Sequence, residues 1–168
     1  MSIAVFEDFV EAADLLTTEG YSGDAGASNR VDGAGGVVEI ETGTGGTGRW
    51  RQHRSNQKMF EAKLGPAVAA FLRTKDTTNQ EVFVGLADAE AGSANNMIGF
   101  YRSDVGGPGN WKCRTKNASG NNGDVDSLFA GDLQEVELAF AVSLLEVAFV
   151  VNGRVVHVEK NCIPTAQM

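Results

Sequence analysis

The chain has few cysteines, few histidines and no long apolar run, and each of these shortages excludes a kind of site or a class of protein. Two cysteines, Cys113 and Cys162, and two histidines, His53 and His157, occur among 168 residues. They are too few for a histidine metal cluster, and a Cys–His pair would lack the oriented third group that nucleophilic catalysis needs. The run Val147–Val151 is far shorter than the ~18 apolar residues that span a bilayer. We therefore expect no membrane segment.

Positive charge is also scarce. Fourteen Lys and Arg residues stand against 22 Asp and Glu, for a net charge of −8. The average field repels polyanions, so nucleic acid and acidic membrane surfaces are disfavoured as partners. Residues 1–9 hold no basic segment ahead of an apolar stretch, so we expect no secretory signal. In a protein made in the cytoplasm and not secreted, Cys113 and Cys162 are expected to be reduced and partly buried, although a disulfide between them stays open.

Proline is rare, whereas glycine is abundant. The chain has 3 prolines and 21 glycines, and 21 of 168 is well above the average glycine content of about 7%. This excess indicates many turns and bulges. A hydrophobic content of 42% is enough for a folded core. The length is that of one domain, so we predict a single domain over 1–168.

Short runs of alternating apolar and polar residues follow one another from Met59 onward, separated by Gly, Asn and Asp clusters. This pattern is typical of an antiparallel all-β domain, and helical periodicity is scarce. The alternation predicts half-buried strands at 60–64, 82–85, 98–101 and 136–140. In the last of these runs glutamates alternate with apolar residues, so we expect that strand to have one wet face.

The clearest hairpin lies at 145–158, where two apolar runs meet at Asn152-Gly153. This dipeptide favours a tight turn with positive φ at both residues. Patterns in the first half of the chain are weaker. The apolar residues of 9–16 follow a helical spacing but equally fit a loop, so we expect an irregular or short helical N-terminal segment. Residues 20–36 are predicted to form a loop.

Four ordered segments share the pattern of one known family. Residues 6–9 resemble its opening DDF segment, 35–43 its early GG-x-hydrophobic strand, 82–88 its FVGL strand, and 149–156, followed by Ile163-Pro164, its late F-x-x-D-G hairpin. In this order they resemble the concanavalin A-like lectin/glucanase superfamily, especially modules of bacteriophage virion proteins. The resemblance implies a two-sheet antiparallel β-sandwich of the jelly-roll kind.

Paired carboxylates are candidates for glycoside hydrolysis, which needs two carboxyl groups about 5 Å or more apart across a sugar cleft. Three pairs would share a strand face: Glu39 with Glu41, Asp124 with Asp126, and Glu135 with Glu137. No aromatic-rich segment flanks these pairs, and the acidic strand motif of the family's glucanases is absent. We therefore predict that the protein is not an enzyme.

Two loops deserve comparison with ligand-binding motifs. Residues 117–124 are rich in Asn and Asp, but they supply one carboxylate before Asp126 and place Leu128 at the twelfth position, whereas calcium needs six to eight oxygens. A turn fits this segment better. Residues 106–109 contain a proline and are not followed by Gly-Lys-Ser/Thr, so they are not a phosphate loop. We predict no metal and no other cofactor.

One segment is basic in an acidic chain. Residues 49–54 carry three arginines, one histidine and one tryptophan. Arg and Trp are enriched at the energetic centres of protein interfaces. Arg49, Trp50, Arg51 and Arg54 are therefore our candidates for partner binding, with a buried Trp50 and arginines paired to the chain's own carboxylates as the alternative.

The resemblance and the missing catalytic groups together favour a structural protein of a bacteriophage virion. The expected role is a capsid decoration or cement protein on the outer surface of the major capsid protein shell, in contact with neighbouring copies as a homo-oligomer. The alternative is a carbohydrate-binding or host-attachment module of a tail or head fibre. That role would need exposed aromatic rings beside polar groups, and few aromatic residues besides phenylalanine are present.

Overall fold

The fold consists of β-strands joined by turns. The computed structural model describes residues 16–20, 28–31, 37–40, 51–55, 61, 64–74, 81–89, 94–104, 109–165 and 168. No α-helix occurs in these residues, and they contain no helix long and apolar enough to cross a membrane.

Thirteen strands lie within the described residues. In chain order they are β1 (Leu16–Gly20), β2 (Ser28–Val31), β3 (Val37–Ile40), β4 (Arg51–Ser55), β5 (Ala67–Leu72), β6 (Glu81–Ala87), β7 (Met97–Ser103), β8 (Asn110–Asn117), β9 (Gly120–Asn121), β10 (Val125–Ala130), β11 (Val136–Val142), β12 (Val147–Val151) and β13 (Arg154–Glu159).

The chain divides into two compact units, Ile3–Lys58 and Met59–Met168, the latter together with Met1–Ser2. In the first unit β1 pairs with β4 and β2 pairs with β3, both antiparallel. The second unit contains two larger antiparallel sheets. One has the order β10-β8-β7-β6, with β9 beside β8, and the other has the order β13-β12-β11-β5. The single domain stays a prediction.

The core of the second unit lies between its two sheets. Phe100 of β7 meets Phe149 of β12 edge to face, with ring centroids 5.3 Å apart. Every second residue of the central strands is buried, because side chains alternate across a sheet. The core side chains are Ile98, Phe100, Trp111, Cys113, Val136, Leu138, Phe140, Val142, Val147, Phe149, Val151 and Met168. The predicted all-β sandwich is confirmed.

Most of the predicted strands and the hairpin are confirmed. The runs at 82–85, 98–101 and 136–140 lie in β6, β7 and β11. Asn152 and Gly153 join β12 to β13 with φ of 49° and 74°, as expected of a tight turn. The register of this hairpin shifts after Phe149, which leaves a bulge in β13.

Three predictions from local pattern are wrong in part. The run 60–64 is not a strand in its described residues, because Leu64 donates to the Glu61 carbonyl in a turn. Gly65 (φ 67°) and Pro66 follow, so the strand begins only at Ala67. Leu16 begins a strand instead of ending a helix, while 9–15 lie outside the described residues.

The predicted loop at 20–36 contains strand β2. Its polar sequence Ser-Asn-Arg-Val carries no period-two apolar pattern, so alternation could not reveal it. Pairing with β3, from Ser28 opposite Ile40 to Val31 opposite Val37, supplies its backbone hydrogen bonds.

Candidate interaction surface

The outward side of the sheet β13-β12-β11-β5 is apolar. On β11, Val136, Leu138 and Phe140 point into the core, so the residues between them point outward. The register places small apolar residues from all four strands side by side on that outward side. We call this surface the alanine face, defined by Ala67, Ala69, Phe71, Ala139, Ala141, Ala148, Val150, Val155 and Val158.

Little of the alanine face is covered by the described residues. Phe71 is 80% exposed, Val155 57% and Val158 38%. A contiguous exposed apolar surface is uncommon on soluble monomers, whose largest patch is typically about 300–600 Å². Glu137, at its margin, is its one charged residue within the described strands. The predicted solvent-facing side of β11 is therefore confirmed, but Glu137 is followed on it by Ala139 and Ala141, so this side is acidic only at the start of the strand.

The hairpin tip between β11 and β12 is a second exposed apolar feature. Leu144 and Leu145 form this tip and are 75% and 78% exposed. Ser143 closes the turn, because its hydroxyl oxygen accepts hydrogen bonds from the backbone N–H groups of Leu145 and Glu146. Turn positions ordinarily carry Gly, Asn, Asp or Ser. Two exposed leucines are therefore unusual here, and they follow the last pair of the β11–β12 ladder, Val142 with Val147.

The outward side of the other sheet is polar and internally paired. The Arg114 guanidinium makes two hydrogen bonds of 2.5 Å with the Asp124 carboxylate, and these bonds raise the pKa of Arg114. The same guanidinium lies over the Tyr101 ring at 3.7 Å. Tyr101 donates its hydroxyl proton to Glu81 at 2.6 Å, and burial raises the pKa of Tyr101.

This polar network leaves little room for a sugar platform at Tyr101. A sugar ring stacks on an open aromatic face beside polar groups. Here the guanidinium of Arg114 already covers one face of the Tyr101 ring. Trp111 is buried in the core, and Trp50 and Tyr21 lie outside the described residues.

Two of the candidate catalytic carboxylates are paired with other side chains of the fold. Asp124 forms an ion pair with Arg114, and Asp126 accepts hydrogen bonds from the side-chain amide of Asn110. Glu135 is exposed, whereas Glu137 is half-buried on the outward side of its strand. The side chains of Glu39 and Glu41 are outside the described part. Among the described residues no group of three or more His, Cys, Asp or Glu side chains is placed to hold a metal ion.

A buried ion pair joins three segments at one end of the sandwich. The Nη2 atom of Arg102 lies 2.5 Å from Asp104, and both side chains are fully buried. Arg102 also donates through Nη1 to the Thr74 hydroxyl and the Gly131 carbonyl, both at 2.9 Å. Its guanidinium lies 5.3 Å from the Trp111 ring. This group holds β7 to the segment after β5 and to the segment after β10.

Both cysteines are unpaired and buried. Burial raises the pKa of the Cys113 thiol to about 12, so Cys113 is a neutral core residue and a poor nucleophile. The Cys162 thiol points to the Gly120 carbonyl oxygen at 3.2 Å. The two thiols are not joined to each other in this structure, and their reduced state stays a prediction.

The predicted partner-binding residues lie in the first unit. Arg51 and Arg54 belong to β4, where they stand opposite Gly20 and Thr17 of β1. The backbone there is extended. Arg49 and Trp50 lie outside the described residues. Partner binding by these four residues stays a prediction.

No family model matches the chain, and searches of curated proteins and of solved structures found no match.

Proposed function

We propose that this chain is a non-enzymatic structural protein of a bacteriophage virion, a concanavalin A-like module that decorates the capsid. In this role the alanine face lies on the outer surface of the major capsid protein shell. One observation carries this choice: the chain leaves an apolar sheet face and two leucines of a hairpin tip open to solvent. Such patches on soluble proteins mark surfaces that bind other proteins.

The size and charge of the surface suit a structural partner. With Leu144 and Leu145 included, the exposed large apolar residues lie on both edge strands of the sheet and on one hairpin tip, a spread that suits a standard protein interface of about 800 Å² per partner. The protein's net charge of −8 disfavours acidic membranes as the alternative target. Binding that favours the assembled shell stabilises it by mass action, and many copies acting together make modest interfaces sufficient.

The arginine segment is our second proposed contact. Arg51 and Arg54 would bind carboxylates of the shell or of a neighbouring copy through bidentate, charge-assisted hydrogen bonds. Each exposed pair contributes only about 0.2–1 kcal/mol, so these residues add to the apolar contact and do not replace it.

A carbohydrate-binding role in a fibre is the weaker choice. Tyr101, which lies among polar side chains, is already covered on one face by Arg114. The open ring of Phe71 lies on the apolar alanine face, where Glu137 is the charged residue opposite it. If glycan binding is nevertheless found and depends on Tyr101, the sheet β10-β8-β7-β6 is the functional face instead.

Cosedimentation with assembled capsid shells tests the attachment. Ala148→Lys places a charge in the middle of the alanine face and should lower shell affinity at least tenfold, which corresponds to about 1.4 kcal/mol. Leu144→Ser/Leu145→Ser should also weaken binding. Ala118→Lys, in an exposed turn, is the matched control and should bind normally.

The double variant Arg51→Ala/Arg54→Ala separates the two contacts. It should lower occupancy and make the remaining binding less sensitive to salt, because fewer charge pairs are screened. Equal binding by Ala148→Lys and the unchanged protein would contradict attachment through the alanine face.

A further inference from the structure

Strand β5 forms one edge of the sheet β13-β12-β11-β5. Each of its backbone N–H and C=O groups points either toward β11 or toward the edge that no described strand pairs with. The Val142 N–H donates to the Pro66 carbonyl at 2.9 Å, in the same register as the β5–β11 ladder. In an antiparallel ladder, successive residues direct their N–H and C=O groups to opposite sides. Even-numbered residues of β5 therefore bond to β11. Ala67, Ala69 and Phe71 direct theirs to the open edge.

This edge lacks the features that natural proteins use to block strand addition. Edge strands are ordinarily protected by charges, proline, a bulge or a short length. β5 reads Ala-Val-Ala-Ala-Phe-Leu and pairs with β11 over all six residues without a register shift. Pro66 lies before the strand, not inside it. No other described strand pairs with this edge.

The sequence of β5 is complementary to itself about Ala69. An antiparallel partner must place outward residues opposite outward residues, or the two sheet faces would be exchanged. Centring the pairing on Ala69 satisfies this condition. This pairing sets Ala69 of one copy opposite Ala69 of the other, and Ala67 of each copy opposite Phe71 of the other. On each side of the two-fold axis, the Phe71 ring then lies against the small Ala67 side chain.

We propose that β5 is a homodimerisation strand: two copies pair antiparallel about Ala69 and join their sheets into one of eight strands. The three outward residues of each copy would then exchange about six backbone hydrogen bonds. The pairing is isologous, as a two-fold dimer requires. It also makes the two alanine faces continuous, whether or not that surface binds a capsid.

The dimer should be weak in dilute solution. A six-residue strand pair buries less than the ~800 Å² per partner of a standard stable interface. Local crowding, such as attachment to a common surface, would raise the effective concentration and favour pairing. Sedimentation velocity of the full chain from about 1 μM to 1 mM should therefore show a rising dimer fraction.

Ala69→Pro is the decisive variant. It removes the N–H at the centre of the new ladder in both copies, while the fold does not use that N–H, and proline is tolerated on open strand edges. Dimer affinity should fall at least tenfold with an unchanged far-UV circular dichroism spectrum. Ala148→Lys is the matched control, since it lies on the same face two strands away, and it should dimerise normally.

Three results would overturn the pairing. The unchanged chain could remain monomeric at 1 mM. Ala69→Pro could dimerise as the unchanged chain does. Ala148→Lys could abolish the dimer as strongly as Ala69→Pro, which would indicate face-to-face association. If Ala69→Pro misfolds, Ala69→Lys replaces it, because it sets two like charges opposite each other at the axis.

Discussion

Removing the Arg102 guanidinium should destabilise the protein more than any change on its polar surface. Arg102→Met keeps most of the apolar stem but leaves the Asp104 carboxylate buried. Among the described residues, the donor that would still reach Asp104 is the Gly109 N–H, at 3.0 Å. Breaking one side of a buried ion pair costs about 3–5 kcal/mol. We expect Arg102→Met to lower the free energy of unfolding by that amount.

The fold supplies a matched control on the neighbouring strand. Arg114 and Asp124 form a similarly close pair, but their side chains are 21% and 29% exposed. Water can therefore solvate Asp124 after Arg114→Met, and the loss should be about 1 kcal/mol or less. The difference between the two variants isolates the effect of burial.

Urea unfolding at pH 7, followed by far-UV circular dichroism, measures both free energies. The double variant Arg102→Met/Asp104→Leu should recover part of the loss, since it removes the stranded charge. If Arg102→Met and Arg114→Met each cost less than about 1 kcal/mol, the reasoning from burial is refuted.

Three further predictions concern packing, reactivity and pH. Gly131→Ala should cost several kcal/mol in urea unfolding, because a Cβ there would lie 1.9 Å from the Arg102 side chain, whereas Gly120→Ala meets nothing within 4 Å and should not. Cys113, with its pKa raised to about 12 by burial, should resist alkylation at pH 8 in the folded protein and react in 8 M urea; rapid alkylation of the folded chain would contradict its buried position. For Glu159, burial raises the pKa, but hydrogen bonds from Asn161, His157, Lys160 and Asn122 prevail and lower it. Stability gained from a lowered carboxyl pKa is present above the unfolded value and lost as the pH falls through the folded one. Glu159→Gln should thus be less stable than the unchanged chain at pH 7, with a smaller difference at pH 3; equal differences at both pH values would disprove the linkage.

Local patterns predicted the parts of the fold that depend on one strand or one turn. The Asn152-Gly153 turn needs positive φ at both positions, and few other dipeptides permit that. The alternation in β11 correctly identified Val136, Leu138 and Phe140 as core residues. Both signals are local, so the sequence alone carries them.

The alanine face could not be predicted in the same way. Ala139, Ala148 and Val158 lie on three different strands, and only the register of two strand pairs places them on one surface. Alanine is small and common, so each one alone gives no signal. The exposed Leu144-Leu145 tip was the available clue, because leucines at a turn contradict ordinary turn composition.

Arg102 was missed for a related reason. Sequence alone predicts that an arginine in β7 faces solvent, because arginine is almost never fully buried without a partner. Asp104 lies two residues after Arg102 in the same segment, whereas Thr74 and Gly131 are contributed by separate segments. The burial of the pair depends on those distant segments, which no local pattern reveals.

Cryo-electron microscopy of capsid shells incubated with the protein tests the central claim most directly. We predict added density on the outer surface of the shell, with the outward side of β13-β12-β11-β5 and the Leu144-Leu145 tip against the major capsid protein. Ala148→Lys should remove most of that density. Shells without added density, or density in which the Arg114 side of the other sheet faces the shell, would contradict the account.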